Sequence, residues 1–168
     1  MGKWTMCKVV GGFVVAVLIF VGCSSQLRNT NIESTRFSEK IGNATSYDFT
    51  NKSFQHLIKY HYELIRFESN PSQLYLETSW KYRLPFKDEV QLGVEEAKTK
   101  IVISARPRKR AILNGSNLNV VRMYAENLVR LIDSDEWIQI PMTNMLKSYL
   151  YRVSDDLKTD LLTGIRQF

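Results

Sequence analysis

The histidines and carboxylates of this sequence could in principle perform acid–base or metal chemistry, but their spacing favours neither. His56 and His61 are the two histidines of the chain. Five residues on a helix turn two side chains about 140° apart, because each residue advances the helix by about 100°. The two imidazoles therefore cannot share a metal ion as an i, i+4 pair does.

Three short groups of acidic residues are placed by the patterning in loops or on the polar face of a helix: Glu95–Glu96, Asp133–Glu136 and Asp155–Asp156. A solvated face explains such groups better than a paired general acid and base. The sequence contains no nucleophile elbow, P-loop or dinucleotide-binding glycine motif. We therefore expect no enzymatic activity, no metal site and no cofactor.

A cluster of positive charge follows a predicted strand and consists of Arg106, Arg108, Lys109 and Arg110. Two interpretations remain open. Charge at a hairpin tip discourages foreign strand edges from pairing with the sheet. Alternatively, the cluster contacts an anionic partner such as lipid head groups, lipopolysaccharide phosphates, a cell-wall polymer or an acidic protein.

The N-terminus has the three-part layout of a secretory signal. Lys3 and Lys8 lie in its positive region, Val9–Val21 is an uncharged apolar run of 13 residues, and Gly22 and Cys23 follow. A helix of that length covers about 20 Å and falls short of the ~30 Å hydrocarbon core, so a permanent transmembrane helix is the weaker interpretation. An ordinary secretory peptide and an uncleaved signal anchor are the alternatives.

The end of this run, LIFVGCSS at residues 18–25, resembles the lipobox of bacterial lipoproteins. Gly22 is the small residue before Cys23, and Phe20 stands where lipoproteins usually carry Leu. The resemblance implies cleavage before Cys23, a diacylglyceryl group on its sulfur and a third acyl chain, such as palmitate, on its amine. Two or more chains anchor a protein stably, since each buried methylene adds about 0.8 kcal/mol. Ser24 implies sorting to the outer membrane, with the domain facing the periplasm.

Thiol chemistry and nucleic-acid binding are both disfavoured by this interpretation. Cys7 and Cys23 are the two cysteines of the chain. Cys7 would be removed with the signal peptide and Cys23 would carry the lipid, so we expect neither a disulfide nor a free thiol. The net charge of +6 is small and dispersed, and an extracytoplasmic address keeps the chain away from nucleic acid.

The chain divides into a signal peptide at residues 1–22, a lipidated N-terminus with a flexible tether at 23–45, and a single α+β domain at 46–168. Residues 46–50 are a candidate first strand. A short helix is predicted from Asn51 or Ser53 to about Tyr60, because apolar residues recur there at three- and four-residue steps.

Three to four antiparallel strands are predicted from alternating patterns at residues 62–68, 74–82, 97–106 and 118–131. In the second run, Leu74, Leu76, Thr78, Trp80 and Tyr82 are expected to share one face. Residues 142–165 form the longest predicted element, an amphipathic helix with Pro141 in its first turn. An antiparallel sheet must cover its apolar face, so we expect the C-terminal helix to pack across it.

This order of elements resembles the helix-grip domains of BamC-type lipoproteins, accessory parts of the outer-membrane β-barrel assembly machine. In those domains a short helix leads to a hairpin with a Glu-Thr-aromatic strand, then to further strands and a closing helix. The matching segment is YLETSWKY at residues 75–82, and the resemblance covers residues 46–167. BamC-type proteins have two such domains, and this chain offers one.

The resemblance implies a helix-grip-like fold and a non-enzymatic binding or assembly role in outer-membrane biogenesis, with an envelope protein as partner. The alternative function is a carrier of lipid or another apolar ligand. A carrier needs a cavity between the sheet and the C-terminal helix, lined by Trp80, Tyr82, Ile101, Tyr149 and Val153.

Overall fold

The structure is a computed structural model that describes residues 34–108 and 118–162. Within these ranges the chain forms an α+β domain whose strands are β1 (Arg36–Thr45), β2 (Leu64–Asn70), β3 (Gln73–Thr78), β4 (Lys81–Arg83), β5 (Val94–Pro107), β6 (Leu118–Leu131) and β7 (Trp137–Ile138). Its helices are α1 (Ser46–Lys59), α2 (Lys87–Val90) and α3 (Asn144–Leu162).

The strands form one seven-stranded sheet in the order β1-β6-β5-β3-β2, with β4 paired to β5 and β7 paired to β6. All of the pairings between these strands are antiparallel. The predicted α+β class, antiparallel sheet and C-terminal helix are confirmed. The predicted count of three to four strands is wrong, because β1 and β7 were not predicted and one predicted strand is divided into β3 and β4.

The first strand corrects the predicted extent of the tether, since residues 36–45 form β1. Phe37, Ile41 and Ala44 are its buried residues, and their spacing of four and then three does not alternate. A β-bulge explains this spacing: the register with β6 shifts by one residue between Lys40 and Gly42. One extra residue in a bulged strand moves the inward positions out of step, so the sequence pattern hides the strand.

The helix α1 begins at Ser46, so the predicted first strand at residues 46–50 is helical. Thr45 is the N-cap residue, and its Oγ1 accepts a hydrogen bond from the backbone N–H of Asp48 at 3.0 Å. The Asp48 carboxylate in the first turn also interacts favourably with the helix dipole. The predicted end of this helix near Tyr60 is confirmed, because α1 ends at Lys59.

The hydrophobic core lies between one face of the sheet and the helices α1 and α3. The sheet contributes inward residues of β5 and β6, and α3 contributes one stripe; they include Ile101, Ile103, Val121, Met123, Leu146, Leu150, Val153 and Leu157. This packing confirms the amphipathic pattern of the C-terminal helix. Pro141 precedes α3 rather than lying in its first turn, because the helix begins at Asn144.

The predicted strand at residues 74–82 is interrupted at Ser79-Trp80. Up to this point its inward residues face the core as predicted, and Thr78 is fully buried. The Thr78 Oγ1 accepts a hydrogen bond from the backbone N–H of Ile101 at 3.0 Å. This side-chain oxygen therefore takes the place of a backbone acceptor at the point where the pairing of β3 with β5 ends. The alternation changes phase across the interruption. Tyr82 consequently lies on the face opposite the core and is 65% exposed.

A buried ion pair fixes α2 to the sheet. Arg83 donates two hydrogen bonds to the Glu89 carboxylate, at 2.7 and 2.6 Å, and Glu89 is completely buried. The same guanidinium donates to Thr99 Oγ1 at 3.1 Å and to Asn127 Oδ1 at 2.9 Å. Each of these polar groups is thereby satisfied by its neighbours, as buried charges require. The network joins α2 to β4, β5 and β6.

We expect Glu89→Gln to lower the free energy of unfolding by about 3 kcal/mol, because it leaves the Arg83 guanidinium buried without a counter-charge. Urea denaturation measures the change. Glu95→Gln is the matched control, since Glu95 is an exposed partner of Arg130 at 3.5 Å; its effect should stay below about 0.5 kcal/mol. Similar effects of the two substitutions would contradict a structural role for the buried pair.

The packing of α1 against α3 buries the ring of His56. His56 is 1% exposed, and its Nδ1 lies 3.3 Å from Asp160 Oδ2. Burial lowers the pKa of His56 below 6.5, although Asp160 acts in the opposite direction. The folded protein thus favours the neutral ring, and the unfolded chain binds a proton at higher pH. His56 contributes stability above about pH 6.5 that is lost as the pH falls through its lower folded pKa.

We expect the free energy of unfolding to fall between pH 7 and pH 5 more steeply in the natural protein than in a His56→Gln variant. One group can add at most about 1.4 kcal/mol per pH unit to this slope. His61→Gln serves as the control, because His61 is exposed and the variant should retain the natural pH dependence. Chemical denaturation across this pH range provides the measurement, and parallel curves for all three proteins would rule the effect out.

Candidate anion-binding site

The sequence predicts five site residues, and three of them lie outside the described residues: Cys23, Lys109 and Arg110. The other two lie at the end of the β5–β6 hairpin. Arg106 is the penultimate residue of β5, and Arg108 follows the strand directly. The backbone N–H of Arg108 donates to the carbonyl oxygen of Leu118 at 3.1 Å, which continues the pairing of the two strands towards the hairpin tip.

The face of the sheet opposite α1 and α3, here termed the open face, carries most of the charged side chains of the strands. Across its middle, six residues of alternating charge run from β1 to β2 and form an ion-pair row: Arg36, Glu126, Lys100, Glu77, Arg66 and Glu68. Lys100 lies 3.0 Å from Glu77 and 3.5 Å from Glu126. Its hydrogen bond lowers the pKa of the Glu77 carboxyl group. Each charged side chain in this row is therefore neutralised by an oppositely charged neighbour.

The open face is different at the hairpin end. Arg122 of β6 pairs with Ser104 of β5 on one side and with Lys40 of β1 on the other. Arg106 pairs with the residue two positions before Arg122, so it is a diagonal neighbour with an expected Cα separation of about 7–8 Å. Four cations at this end of the sheet make no ion pair with any residue in the ranges 34–108 and 118–162. They are Lys40, Arg106, Arg108 and Arg122.

A hollow of about 350 Å³ lies among these arginines. Its lining combines three guanidinium groups, two hydroxyl groups and two apolar side chains, from Arg106, Arg108, Arg122, Ser104, Tyr124, Pro107 and Val120. Guanidinium groups stay protonated and only donate hydrogen bonds, and the hydroxyls can donate as well. In chemical terms the hollow is a set of converging donors with excess positive charge, which suits an anion.

Sequence reasoning missed Arg122 and Lys40, for two different reasons. It predicts the strand at residues 118–131 that carries Arg122, but it does not align that strand with its neighbour. The predicted end of one strand near Arg106 and the start of the next at Leu118 were a usable signal for this alignment. Lys40 is missed because the sequence predicts a flexible tether where β1 lies.

The five residues predicted to line an apolar-ligand cavity do not surround one space. Ile101 and Val153 are 1% and 0% exposed inside the core. Trp80 and Tyr82 instead lie with their ring centroids 5.5 and 5.7 Å from the Nζ of Lys98, on the open face. The sheet separates the two pairs, and the fifth residue, Tyr149, packs at the edge of the core. This placement corrects the arrangement on which the carrier hypothesis depends.

Among the described residues, no cluster of His, Cys, Asp and Glu side chains could hold a metal ion. In the same part of the chain, no helix is both long and apolar enough to cross a membrane. Comparison with protein-family models and with curated proteins finds no match to this chain.

Proposed function

We propose that this chain is a lipid-anchored lipoprotein of the bacterial envelope, whose domain is a non-enzymatic binding or assembly accessory that contacts an anionic partner. The observation that carries the proposal is the set of cations without carboxylate partners at the hairpin end of the open face. Lys100, on the same face, has two carboxylate partners. Contact with an anionic partner would supply Arg106 and Arg122 with the negative charge that no carboxylate of the described residues provides.

The lipobox-like segment supports the anchoring part of the proposal. Cys23 would carry the acyl chains, and Ser24 favours the outer membrane with the domain in the periplasm. Residues 24–35 separate this cysteine from β1, and a fully extended chain of that length reaches about 40 Å at most. The domain would therefore stay close to the lipid surface, where an envelope protein or an anionic head group is within its reach.

We further propose a helix-grip-like arrangement related to the domains of BamC-type lipoproteins, which points to a role in outer-membrane biogenesis. The order of a helix, a hairpin, further strands and a long closing helix over one face of the sheet supports it. The Glu77-Thr78 pair of the hairpin strand has definite structural roles here. Glu77 belongs to the ion-pair row, and Thr78 accepts the hydrogen bond of Ile101. The strand β1, which precedes α1, is an addition to the expected order.

We expect Cys23→Ser to abolish incorporation of labelled palmitate and to release the protein from the membrane fraction, because the acylated sulfur is lost. Cys7→Ser is the matched control and should retain both properties, since Cys7 would be removed with the signal peptide. Metabolic labelling followed by fractionation provides the measurement. Palmitate incorporation that persists in the Cys23→Ser protein would overturn the anchor.

We expect the chain from Ser24 onward, produced without lipid, to sediment with vesicles of phosphatidic acid and phosphatidylcholine but not with phosphatidylcholine alone. Replacing Arg106, Arg108 and Arg122 by Gln should weaken this binding by about fivefold per residue, since each cation near an anionic surface contributes about 1 kcal/mol. Binding should also weaken as salt is added.

Arg36→Gln is the control for the vesicle experiment. Arg36 is an exposed arginine that already pairs with Glu126 at 3.4 Å, so its loss should change vesicle binding much less. The contact proposed for the hairpin end would be refuted if the triple variant bound as well as the natural protein, or if Arg36→Gln had an equal effect.

A further inference from the structure

We infer that the hollow at the hairpin end is a specific site for a phosphate monoester rather than a diffuse patch of positive charge. The inference rests on the proposed function, because it names the chemistry of the anionic partner that the open face would contact. It depends on three features of the described residues: the arrangement of donors, two like charges in directly opposed strand positions, and the size of the hollow.

Strand pairing places the donors around one hollow, although the Arg106 guanidinium also donates a hydrogen bond to Gln73 Oε1 at 3.5 Å. Arg122 lies opposite Ser104, Arg106 lies diagonally across the same strand pair, and the side chain of Tyr124 completes that side of the hollow. Each guanidinium offers two parallel N–H groups, which match two oxygens of one anion. A phosphate monoester presents three strongly accepting oxygens, so two arginines and a hydroxyl can bind it together.

The like-charge contact indicates a ligand with more than one negative charge. Lys40 pairs directly with Arg122 across β1 and β6, and like charges in directly opposed positions destabilise a sheet. The carboxylate of Glu126, four residues further along β6 on the same face, is engaged by Arg36 and Lys100. A monoester carries a charge of about −1.5 to −2 at neutral pH, whereas a carboxylate or a phosphodiester carries a single charge. The monoester therefore offsets the repulsion best.

The size of the hollow limits what the phosphate is attached to. Its volume of about 350 Å³ lies near the lower end of the range for small-molecule sites, roughly 300–1,000 Å³. A phosphate with a small polar group, such as a glycerol or a sugar unit, suits this space. Pro107 and Val120 supply the apolar surface against which the carbon atoms of that group can pack.

The test uses the full mature lipoprotein in a non-ionic detergent at pH 7.5 and constant ionic strength, with thermal unfolding as the readout. The probes are inorganic phosphate, glycerol 3-phosphate, the diester glycerophosphoglycerol and acetate. At ten times their dissociation constants, the two phosphate probes with a free dianionic group should raise the unfolding midpoint by about 5 °C. Acetate and the diester should raise it far less. Tighter binding of glycerol 3-phosphate would indicate a phosphate borne by a lipid or sugar, and equal binding would indicate free phosphate; both results support the site.

Single substitutions test which residues bind the phosphate. Arg122→Gln should weaken phosphate affinity about tenfold or more, because it removes charge-assisted hydrogen bonds, and Lys40→Gln provides a second test on an exposed residue of another strand. Without ligand, both variants should unfold at the natural midpoint or slightly above it, since they relieve the repulsion between Lys40 and Arg122. Arg36→Gln should leave phosphate affinity unchanged.

Equal midpoint shifts with all four probes, or full phosphate affinity in the Arg122→Gln variant, would overturn the inference. If phosphate has no effect but the arginine variants still lose vesicle binding, the phosphate site fails and the proposed function stands. If phosphate binds as expected while Cys23 carries no lipid, the site stands and the proposed anchoring fails.

Discussion

The pairing of β5 with β6 is the constraint on which the rest of the structure depends. Both strands have 14 residues, and their register places Ile103 opposite Met123 on the core side and Ser104 opposite Arg122 on the open face. A shift of one residue in either strand would turn its whole apolar set outward and its charged set inward. Burial of the core therefore fixes the register, and the register in turn brings Arg106 and Arg122 to one hollow.

Much of the fold could be predicted from the sequence wherever one face of an element is buried and the other is not. The strands β5 and β6 and the helix α3 follow regular periods, so the sequence predicts all three elements. The strand β1 was not, because its bulge between Lys40 and Gly42 breaks the alternation. The interruption after Thr78 was also not predictable, since it depends on a side chain that replaces a backbone acceptor for Ile101 of another strand. Both failures concern local irregularities that only the paired neighbour explains.

The candidate site was predictable only in the part that is contiguous in sequence. Arg106 and Arg108 are near neighbours and stand out as a cluster, whereas Arg122 and Lys40 come from two other strands. The buried pair of Arg83 and Glu89 differs from these cations, because every polar group of the pair has a partner within the fold. Cations that the fold neutralises and cations that it leaves unpaired thus lie within one sheet. The ion-pair row shows that long side chains on this face can form ion pairs, whereas Arg106 and Arg122 at the hairpin end form none with the described residues.

The strand β1 links the proposed lipid anchor to the proposed anion-binding site. It is the first described element after the segment that would carry the lipid, and its first residue, Arg36, pairs with Glu126 in the ion-pair row. Four residues further along, about 13 Å away, Lys40 lies beside Arg122 at the anion-binding site. Under the proposed anchoring, tension on the lipidated N-terminus would act on the strand whose Lys40 lies opposite Arg122 of the site. The bulge lies directly after Lys40, and β1 contributes core residues on both sides of it, Phe37 before and Ala44 after.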